Sequence, residues 1–264
     1  MRRWMALSIM ALVVTTTAFA QDSQLRRLTN GDDAKAWEAV GRLNIGGTGF
    51  CTGALIAPNM VLTAAHCLFD KKTGKRIDQG QVEFLAGWRN GRASAYRNVK
   101  QAVVHPDFVY APRNGTSSVG NDLALLQLDR PIRNGTIRPF STQATPQRGA
   151  KVAVVSYGAG RSEAPSLQEL CSVLALQRGV LVTSCAVDSG SSGAPIFMVQ
   201  DGEVQIVSIV SAKAEVEGKA VSLGTSLGAP LAQLQAAMVA QQSLLAGRLG
   251  PGMRKDTGAK FLKP

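Results

Sequence analysis

One histidine, one aspartate and one serine each lie in a setting suited to nucleophilic catalysis. His66 follows a short β-type run and two alanines, which would leave its ring accessible, and it precedes Cys67. Asp122 precedes an almost unbroken apolar run, so its carboxylate would lie at the edge of a core and need a partner. Ser192 lies in a loop rich in glycine and serine. A hydroxyl, an imidazole and a carboxylate acting in series predict acyl-transfer chemistry.

The loop around Ser192 reads DSGSSGAP, with Ser192 as its fifth residue. Its glycines permit a tight turn with unusual backbone dihedrals. The N–H groups of Gly190 and Ser192 could then converge on one point and form an oxyanion hole. Ser189 and Ser191 are rival nucleophiles on composition alone, and an inert glycine-serine loop is the alternative for the whole segment. The β-type run that starts at Pro195 favours an ordered loop.

The four cysteines show none of the CxxC spacings that zinc and redox sites use. An even number in an exported chain suggests two disulfides, and pairing near neighbours joins Cys51 to Cys67 and Cys171 to Cys185. Two short strands would bring the first pair together and brace the turn that carries the histidine. A hairpin centred on Arg178, if it has no bulge, places the second pair face to face, each seven residues away.

The first twenty residues read as a signal peptide, with a basic start, an apolar run and a small-x-small end at Ala18–Ala20. Threonines interrupt the apolar run, which is shorter than the about 20 residues that span a bilayer. We therefore expect cleavage after Ala20, export to the periplasm or the medium, and no stable membrane insertion.

The formal net charge is +11, and loss of the two leader arginines would leave +9 (11 − 2). The basic residues are scattered without interleaved aromatics, so no nucleic-acid partner is expected, and the charge should lie on a solvated surface. Two distant histidines cannot form a usual zinc set. We expect no metal and no other cofactor.

Short runs rich in Val, Ile and Leu, separated by turn residues about every ten positions, are typical of an all-β protein. The length favours two barrels over one. The predicted strands are 42–45, 54–56, 60–63, 81–85, 99–104, 123–128, 152–156, 173–176, 180–183, 195–199 and 204–210. After Pro230, apolar residues at helical spacing predict one helix packed on the domain. Its glutamine-rich polar face speaks against the alternative, a membrane-surface helix.

Three motifs together resemble those of the chymotrypsin-like (trypsin-fold) serine peptidases: TAAHC around the histidine, DLALL from the aspartate and GxSGxP around the serine. They occur in that family's order, and the GxSGxP frame selects Ser192 among its neighbours. The similarity runs from about Trp37 to Leu234. It implies two antiparallel β-barrels with the active site between them, His66 and Asp122 coming from the first barrel.

The expected organisation is a signal peptide (1–20), an N-terminal segment (21–36), a first barrel (37–142), a second barrel (143–228), a C-terminal helix (229–247) and a basic, disordered tail (248–264).

The resemblance also implies roles for these residues. Ser192 attacks a peptide carbonyl, His66 transfers its proton, Asp122 orients the imidazole, and the N–H groups of Gly190 and Ser192 bind the oxyanion. The predicted function is a secreted serine endopeptidase, active as a monomer on proteins or peptides through an acyl-enzyme. A non-catalytic binding protein on the same fold is the alternative, and the intact triad speaks against it.

The sequence departs from trypsin where trypsin-type zymogens are activated. Ser191 stands where those zymogens carry the aspartate that pairs with the new amino terminus. Arg27-Leu28 is a candidate processing site, but a new amine there would lack its carboxylate partner. We therefore expect an oxyanion hole that forms without such activation. In this, and in its short segment before the nucleophile, the chain looks like exported bacterial glutamyl endopeptidases and HtrA-type peptidases.

Specificity residues are expected on two segments that the resemblance places beside the nucleophile. Ala186 occupies the position, six before the nucleophile, where trypsin has its pocket aspartate. Asp188 could reach the pocket or cap the tight turn, and we favour the cap. Ser208, Ile209 and Val210 correspond to the edge strand that pairs with substrate backbone. Val210 would narrow the pocket and favour small or medium side chains.

Overall fold

The structure is a computed structural model, and it describes residues 25–248 except 48, 112–115 and 144–145. The predicted signal peptide and nearly all of the basic tail lie outside the described residues. The described chain folds into two β-barrels followed by a long C-terminal helix. The predicted all-β class, with two antiparallel barrels and one C-terminal helix, is confirmed.

The segment before the first barrel is tied to the second barrel. Strand β1 (Leu25–Arg27) pairs antiparallel with a strand of that barrel, and the short helix α1 (Gly31–Lys35) follows. Leu28 between them is fully buried, and its N–H donates to the carbonyl of Pro165 at 2.9 Å. The peptide bond between Arg27 and Leu28, our candidate processing site, therefore joins a paired strand to a buried side chain.

The first barrel is closed, in the strand order β2-β3-β4-β7-β6-β5. Its strands are β2 (Val40–Ile45), β3 (Gly49–Ala57), β4 (Met60–Thr63), β5 (Val82–Ala86), β6 (Ala95–Val104) and β7 (Ala124–Leu128). The end of β4 and the start of β7 are neighbours, since Thr63 pairs with Ala124. This register explains why residues just after β4 and just before β7 meet at one end of the barrel.

The second barrel closes in the order β9-β10-β11-β14-β13-β12, with β9 pairing to both β12 and β10. β8 (Ser141–Thr142) adds in parallel to β13, and β1 adds to β10. The barrel strands are β9 (Lys151–Ser156), β10 (Ser166–Gln177), β11 (Val180–Thr183), β12 (Pro195–Gln200), β13 (Glu203–Val216) and β14 (Lys219–Ser226). Each predicted strand overlaps an observed one, but the barrel strand β14 and the short strands β1 and β8 were not predicted.

Both predicted disulfides are present. Cys51 is bonded to Cys67, and Cys171 to Cys185 with Cα atoms 5.2 Å apart. The assumption of a bulge-free hairpin was wrong. The turn is centred between Arg178 and Gly179, where both residues have positive φ, so a regular ladder would misalign the second pair by one residue. A bulge after residue 173 in β10 shifts the register by one and brings these cysteines opposite each other.

The C-terminal helix α2 (Gly228–Arg248) packs on the domain, as predicted, and its partner is the first barrel. Leu231, Leu234 and Met238 are buried in a core cluster that contains the first barrel's core and part of the second barrel's. His105 Nε2 lies 2.9 Å from Gln233 Oε1, so a polar contact joins helix and barrel as well. In the described part of the chain, no helix is long and apolar enough to cross a membrane.

Candidate active site

His66 and Asp122 meet because their loops leave neighbouring strand ends. His66 lies in a short 3-10 helix (Ala65–Leu68) after β4, and Asp122 lies between a 3-10 turn (Thr116–Asn121) and β7. Asp122 is 2% exposed, whereas the His66 side chain is 22% exposed at the cleft. A buried carboxylate beside a partly exposed imidazole is the arrangement that orients a general base.

The Asp122 carboxylate accepts three hydrogen bonds. Oδ2 lies 2.7 Å from His66 Nδ1, and Oδ1 accepts the His66 backbone N–H at 2.8 Å. The hydroxyl of Ser211, from β13 of the second barrel, also donates to Oδ2. These donors satisfy a charge that would be costly to bury alone. They also hold the imidazole with Nδ1 toward Asp122 and leave Nε2 for the cleft.

Ser192 shares a cavity with His66. The cavity has a volume of about 230 Å³, and its lining includes the Cys51–Cys67 disulfide, Phe50 and Phe69. The Ser192 hydroxyl does not hydrogen bond to His66 Nε2. It makes no hydrogen bond to any other group of the described residues either. Catalytic hydrogen bonds are often long without substrate and tighten when it binds. The three predicted triad residues thus lie at one cleft, but the hydrogen bond between the Ser192 hydroxyl and His66 Nε2 is not formed.

Four consecutive carbonyls of the serine loop are held by hydrogen bonds. Thr52 of β3 binds two of them, donating its hydroxyl to Gly190 O at 2.9 Å and its N–H to Ser192 O at 2.8 Å. The carbonyl of Ser189 accepts the N–H of Ala159 at 2.7 Å, and that of residue 191 accepts the N–H of residue 194 at 2.9 Å. The loop backbone therefore has little freedom to rotate.

These anchors orient the two N–H groups that were predicted to form an oxyanion hole. In a trans peptide the N–H and the preceding C=O point in opposite directions. Anchoring the carbonyls of Ser189 and Ser191 therefore aims the N–H groups of Gly190 and Ser192 away from those anchors. Neither N–H donates to another described residue, and both residues line the cavity. Two unpaired donors at one cavity wall can stabilise a developing negative charge.

The two glycines of the loop allow it to press against the first barrel. Gly190 has φ +96°, and a Cβ there would lie 2.3 Å from the ring of Phe50. Gly193 has φ +77°, and a Cβ there would lie 2.3 Å from the carbonyl of Thr52. The expected unusual dihedrals are confirmed. The close approach to the other barrel is a further reason why no side chain fits at either position.

Ser191 makes a polar contact that sequence reasoning missed. It is fully buried, and its hydroxyl accepts a hydrogen bond from Nη2 of Arg161 at 3.0 Å. Thr52 and Ser211 were missed as well. Each of the three forms its hydrogen bond with a residue 30 to 138 positions away in the chain. No local sequence motif predicts such a contact.

The substrate-edge prediction requires a correction. Ser208 and Ile209 are fully buried, and Val210 is 2% exposed, with its N–H and C=O bonded to Ala194 and Gly193. These three residues have no free edge to offer. Among the described residues, the edge of β13 that has no strand partner begins at Ser211, three positions after the predicted start at Ser208. It runs to the end of β13. A bulge at this point, between Val210 and residue 212, separates the two stretches.

The two predicted pocket residues differ in environment. Ala186 is exposed, as a position open to substrate must be. The favoured cap by Asp188 is not made by its carboxylate, which lies 3.7 Å from Nε of Arg161. The turn is closed instead by the Asp188 carbonyl, which accepts the N–H of Ser191 at 3.0 Å.

One cluster of potential metal ligands lies at the site, formed by Cys51, His66 and Cys67. The two sulfurs are joined in a disulfide, and a metal ligand requires a thiolate. The cluster therefore offers only the imidazole.

Two relatives are similar in sequence to part of this chain. Human Serine protease 56 is 32% identical over 148 residues, 54% of this chain and 23% of its own length. Human Granzyme M is 31% identical over 117 residues, 42% of this chain and 41% of its own. The chain thus spans less than half the length of either relative.

A solved structure of a Glu endopeptidase in complex with MPD superposes with a TM-score of 0.64. It covers 82% of this chain and 97% of that one at 20% identity, which shows a shared fold. The family model described as Trypsin matches residues 29–226, three quarters of the sequence. The chain belongs to the trypsin family.

Proposed function

We propose that the chain is an exported serine endopeptidase that uses His66, Asp122 and Ser192 as its catalytic triad. The observation that carries this proposal is the buried Asp122 carboxylate, which holds His66 in the cleft that Ser192 also lines. A buried charge maintained for stability alone would not need an accessible imidazole beside a serine. The two disulfides support export, because such bonds persist in oxidising compartments.

The proposed reaction proceeds in two steps. Ser192 Oγ attacks the peptide carbonyl carbon while His66 Nε2 takes the hydroxyl proton. The tetrahedral oxyanion accepts hydrogen bonds from the N–H groups of Gly190 and Ser192. The C–N bond breaks as His66 returns the proton to the leaving amine, which produces the acyl-enzyme. Water, activated in the same way, then releases the acid, and Asp122 stabilises the imidazolium in both steps.

The substrate backbone would bind along the free edge of β13, from Ser211 to Val216. This edge is six residues long and ends at a two-residue turn where Glu217 and Gly218 both have positive φ. An extended peptide can add to such an edge through main-chain hydrogen bonds. Ala186 would face the side chain before the scissile bond. The length of the edge favours substrates with an extended segment on that side, which suits an endopeptidase.

The cavity beside the Cys51–Cys67 disulfide would take the leaving-group side of the substrate. Its lining includes Phe50 and Phe69, together with Lys71, Lys72 and Asp70, which leave a net positive charge. Aromatic side chains and a net positive charge favour an apolar residue followed by an acidic one.

A fluorophosphonate probe tests the proposal directly. The wild-type protein should be labelled on Ser192 and should cleave an unstructured protein. Ser192→Ala should abolish both activities. Ser189→Ala is the matched control, since it removes a neighbouring hydroxyl from the same loop and should leave labelling intact.

A folded wild-type protein that resists the probe would overturn the proposal. It would favour the alternative, a binding protein that uses the same cleft without chemistry. Binding of peptides by Ser192→Ala is expected in either case, so labelling of the wild type decides between them.

A further inference from the structure

A buried arginine, Arg161, lies behind the nucleophile loop and takes no part in the steps above. The residue is 8% exposed. Its Nη1 donates to the Ser156 carbonyl at 2.7 Å, while Nη2 reaches the Ser156 hydroxyl at 3.2 Å and the Ser191 hydroxyl at 3.0 Å. Burial lowers the pKa of this guanidinium, and the carboxylate of Asp188 opposes that shift. Burying a charge is costly, so an arginine kept here calls for a specific explanation.

The turn that carries Arg161 is shaped to fold its side chain inward. The N–H of Arg161 donates to the carbonyl of Gly158 at 3.0 Å. A Cβ on Gly158 would lie 2.6 Å from Cζ of the guanidinium, so glycine provides the space that the guanidinium occupies. Of the two residues between them, Ala159 donates its N–H to the carbonyl of Ser189 at 2.7 Å. One turn therefore holds the arginine and also the peptide whose N–H belongs to Gly190.

Arg161 thus contacts the nucleophile loop by two routes. Through Ser191 it binds the residue just before the nucleophile, and the Ser191 hydroxyl lies 3.3 Å from Tyr157 O at the start of the same turn. Through the turn it supports the hydrogen bond from Ala159 to Ser189. Losing the guanidinium would remove donors from the Ser156 carbonyl and from the hydroxyls of Ser156 and Ser191, which would loosen the turn that holds Ser189. The Ser189–Gly190 peptide would then be free to rotate.

Building on the proposed peptidase function, we infer that Arg161 is a positioning residue that holds the Ser189–Gly190 peptide in its oxyanion-binding orientation without cleavage of the chain. Residues 25–28, the first that the structure describes, are held elsewhere. β1 is paired with β10, and Leu28 is fully buried beside Pro165. An internal cation that is present as soon as the chain folds replaces any need for a new amino terminus.

Two substitutions separate this role from a merely structural one. Arg161→Met keeps the length of the side chain and removes its donors. We expect kcat to fall about 100-fold with KM changed less than about threefold, because an oxyanion donor acts in the transition state. Arg161→Lys should restore most of kcat at neutral pH. Arg148→Met, on an exposed arginine of the same barrel, should leave both constants unchanged.

The pH profile provides a second readout. Asp188 is the one charged side chain within ion-pair distance of Arg161 in the part of the chain that the structure describes. A lysine ammonium buried at this position should lose its proton far more readily than a guanidinium. Arg161→Lys should therefore lose activity on the alkaline side, where the wild type keeps it.

Hydrogen exchange tests the inference without relying on activity. In Arg161→Met, amides of 158–161 and 189–191 should exchange at least about tenfold faster, while those of α2 should not change. Unchanged exchange, or a loss confined to KM, would overturn the inference even if the enzyme is active. An unlabelled wild type would overturn the peptidase proposal alone. If Arg161→Met does not fold, Gly158→Ala replaces it as the test variant, because the added methyl group displaces the guanidinium but keeps its charge. The same changes in kcat and in amide exchange are then expected.

Discussion

The two barrels supply different kinds of group to the cleft. The first barrel provides ionisable side chains, and their geometry depends on the three donors around the Asp122 carboxylate. The second barrel provides backbone N–H groups, and their geometry depends on four anchored carbonyls between Ser189 and Ser192. Charge therefore organises one half of the site, and peptide orientation organises the other.

Each half is completed by a residue of the opposite barrel. Ser211 from the second barrel donates to Asp122 of the first, whereas Thr52 from the first barrel binds two carbonyls of the second. Neither half can reach its final geometry before the barrels dock. The active-site cleft is therefore also the interface between the two barrels. Substitutions on either side should affect the other side too.

The largest expected effect tests the half organised by charge. Asp122→Asn keeps the shape of the side chain and removes its charge, so the imidazole should adopt the wrong tautomer. By analogy with other triads, kcat should fall about 10⁴-fold with little change in fold. Steady-state kinetics and near-ultraviolet circular dichroism measure the two quantities. If kcat falls by less than about tenfold, Asp122 does not have the role proposed for it.

A smaller effect is expected where the first barrel holds the loop of the second. Thr52→Val removes the hydroxyl that donates to Gly190 O and accepts the N–H of Tyr157 at 3.1 Å. We expect the free energy of unfolding to decrease by about 1–3 kcal/mol, since buried partners lose their hydrogen bonds. Activity should fall about tenfold or more, because the Gly190 carbonyl would lose its anchor between the two oxyanion-binding N–H groups.

Thr52→Ser is the matched control, because it keeps the hydroxyl and removes only a methyl group. Its kcat should stay within about threefold of the wild-type value. Equal activity losses in Thr52→Val and Thr52→Ser would mean that packing, and not the hydrogen bond, supports the loop. The hydrogen bond from the Thr52 hydroxyl would then not be what connects the first barrel to the geometry of the serine loop.

The half organised by charge could be predicted from sequence, because its residues lie in short motifs whose chemistry is local. The half organised by peptide orientation could be predicted only in part. Gly190 and Ser192 were identified as donors, but Thr52 binds the Gly190 carbonyl across 138 residues, and Arg161 binds the intervening Ser191 across 30. A threonine in a strand and an arginine in a turn give no signal until the tertiary contacts exist.

Two errors in the second barrel have a common physical cause. β14 was not predicted because hydroxyls that hydrogen bond internally replace apolar residues on its buried face. Ser222 lies 2.6 Å from the hydroxyl of Thr183, and Thr225 donates to the carbonyl of Val119. The substrate edge was placed three residues early because a bulge follows Val210. Paired hydroxyls and bulges depend on the partner strand, and sequence periodicity does not report them.

The smallest effect concerns a contact between the barrels that lies away from the reacting groups. Tyr157, from the end of β9, is fully buried, and its phenol donates to the carbonyl of Trp88 at 2.9 Å. Burial raises the pKa of this phenol above its ordinary value of 10. The unfolded chain can ionise Tyr157 above that pH while the folded chain cannot. Its contribution to stability is therefore present below pH 10 and is lost as pH rises beyond it.

Tyr157→Phe should reduce the free energy of unfolding by about 1 kcal/mol at pH 8, through the lost hydrogen bond. Above the ordinary phenol pKa of 10, the wild type should lose stability relative to the variant by up to about 1.4 kcal/mol per pH unit. Urea unfolding at several pH values measures the difference, with Tyr96→Phe on an exposed phenol as the control. A constant difference between Tyr157→Phe and wild type would show that Tyr157 ionises in the folded protein. The barrel interface would then admit water, and a cleft built on that interface could not keep its N–H groups as dry as oxyanion stabilisation requires.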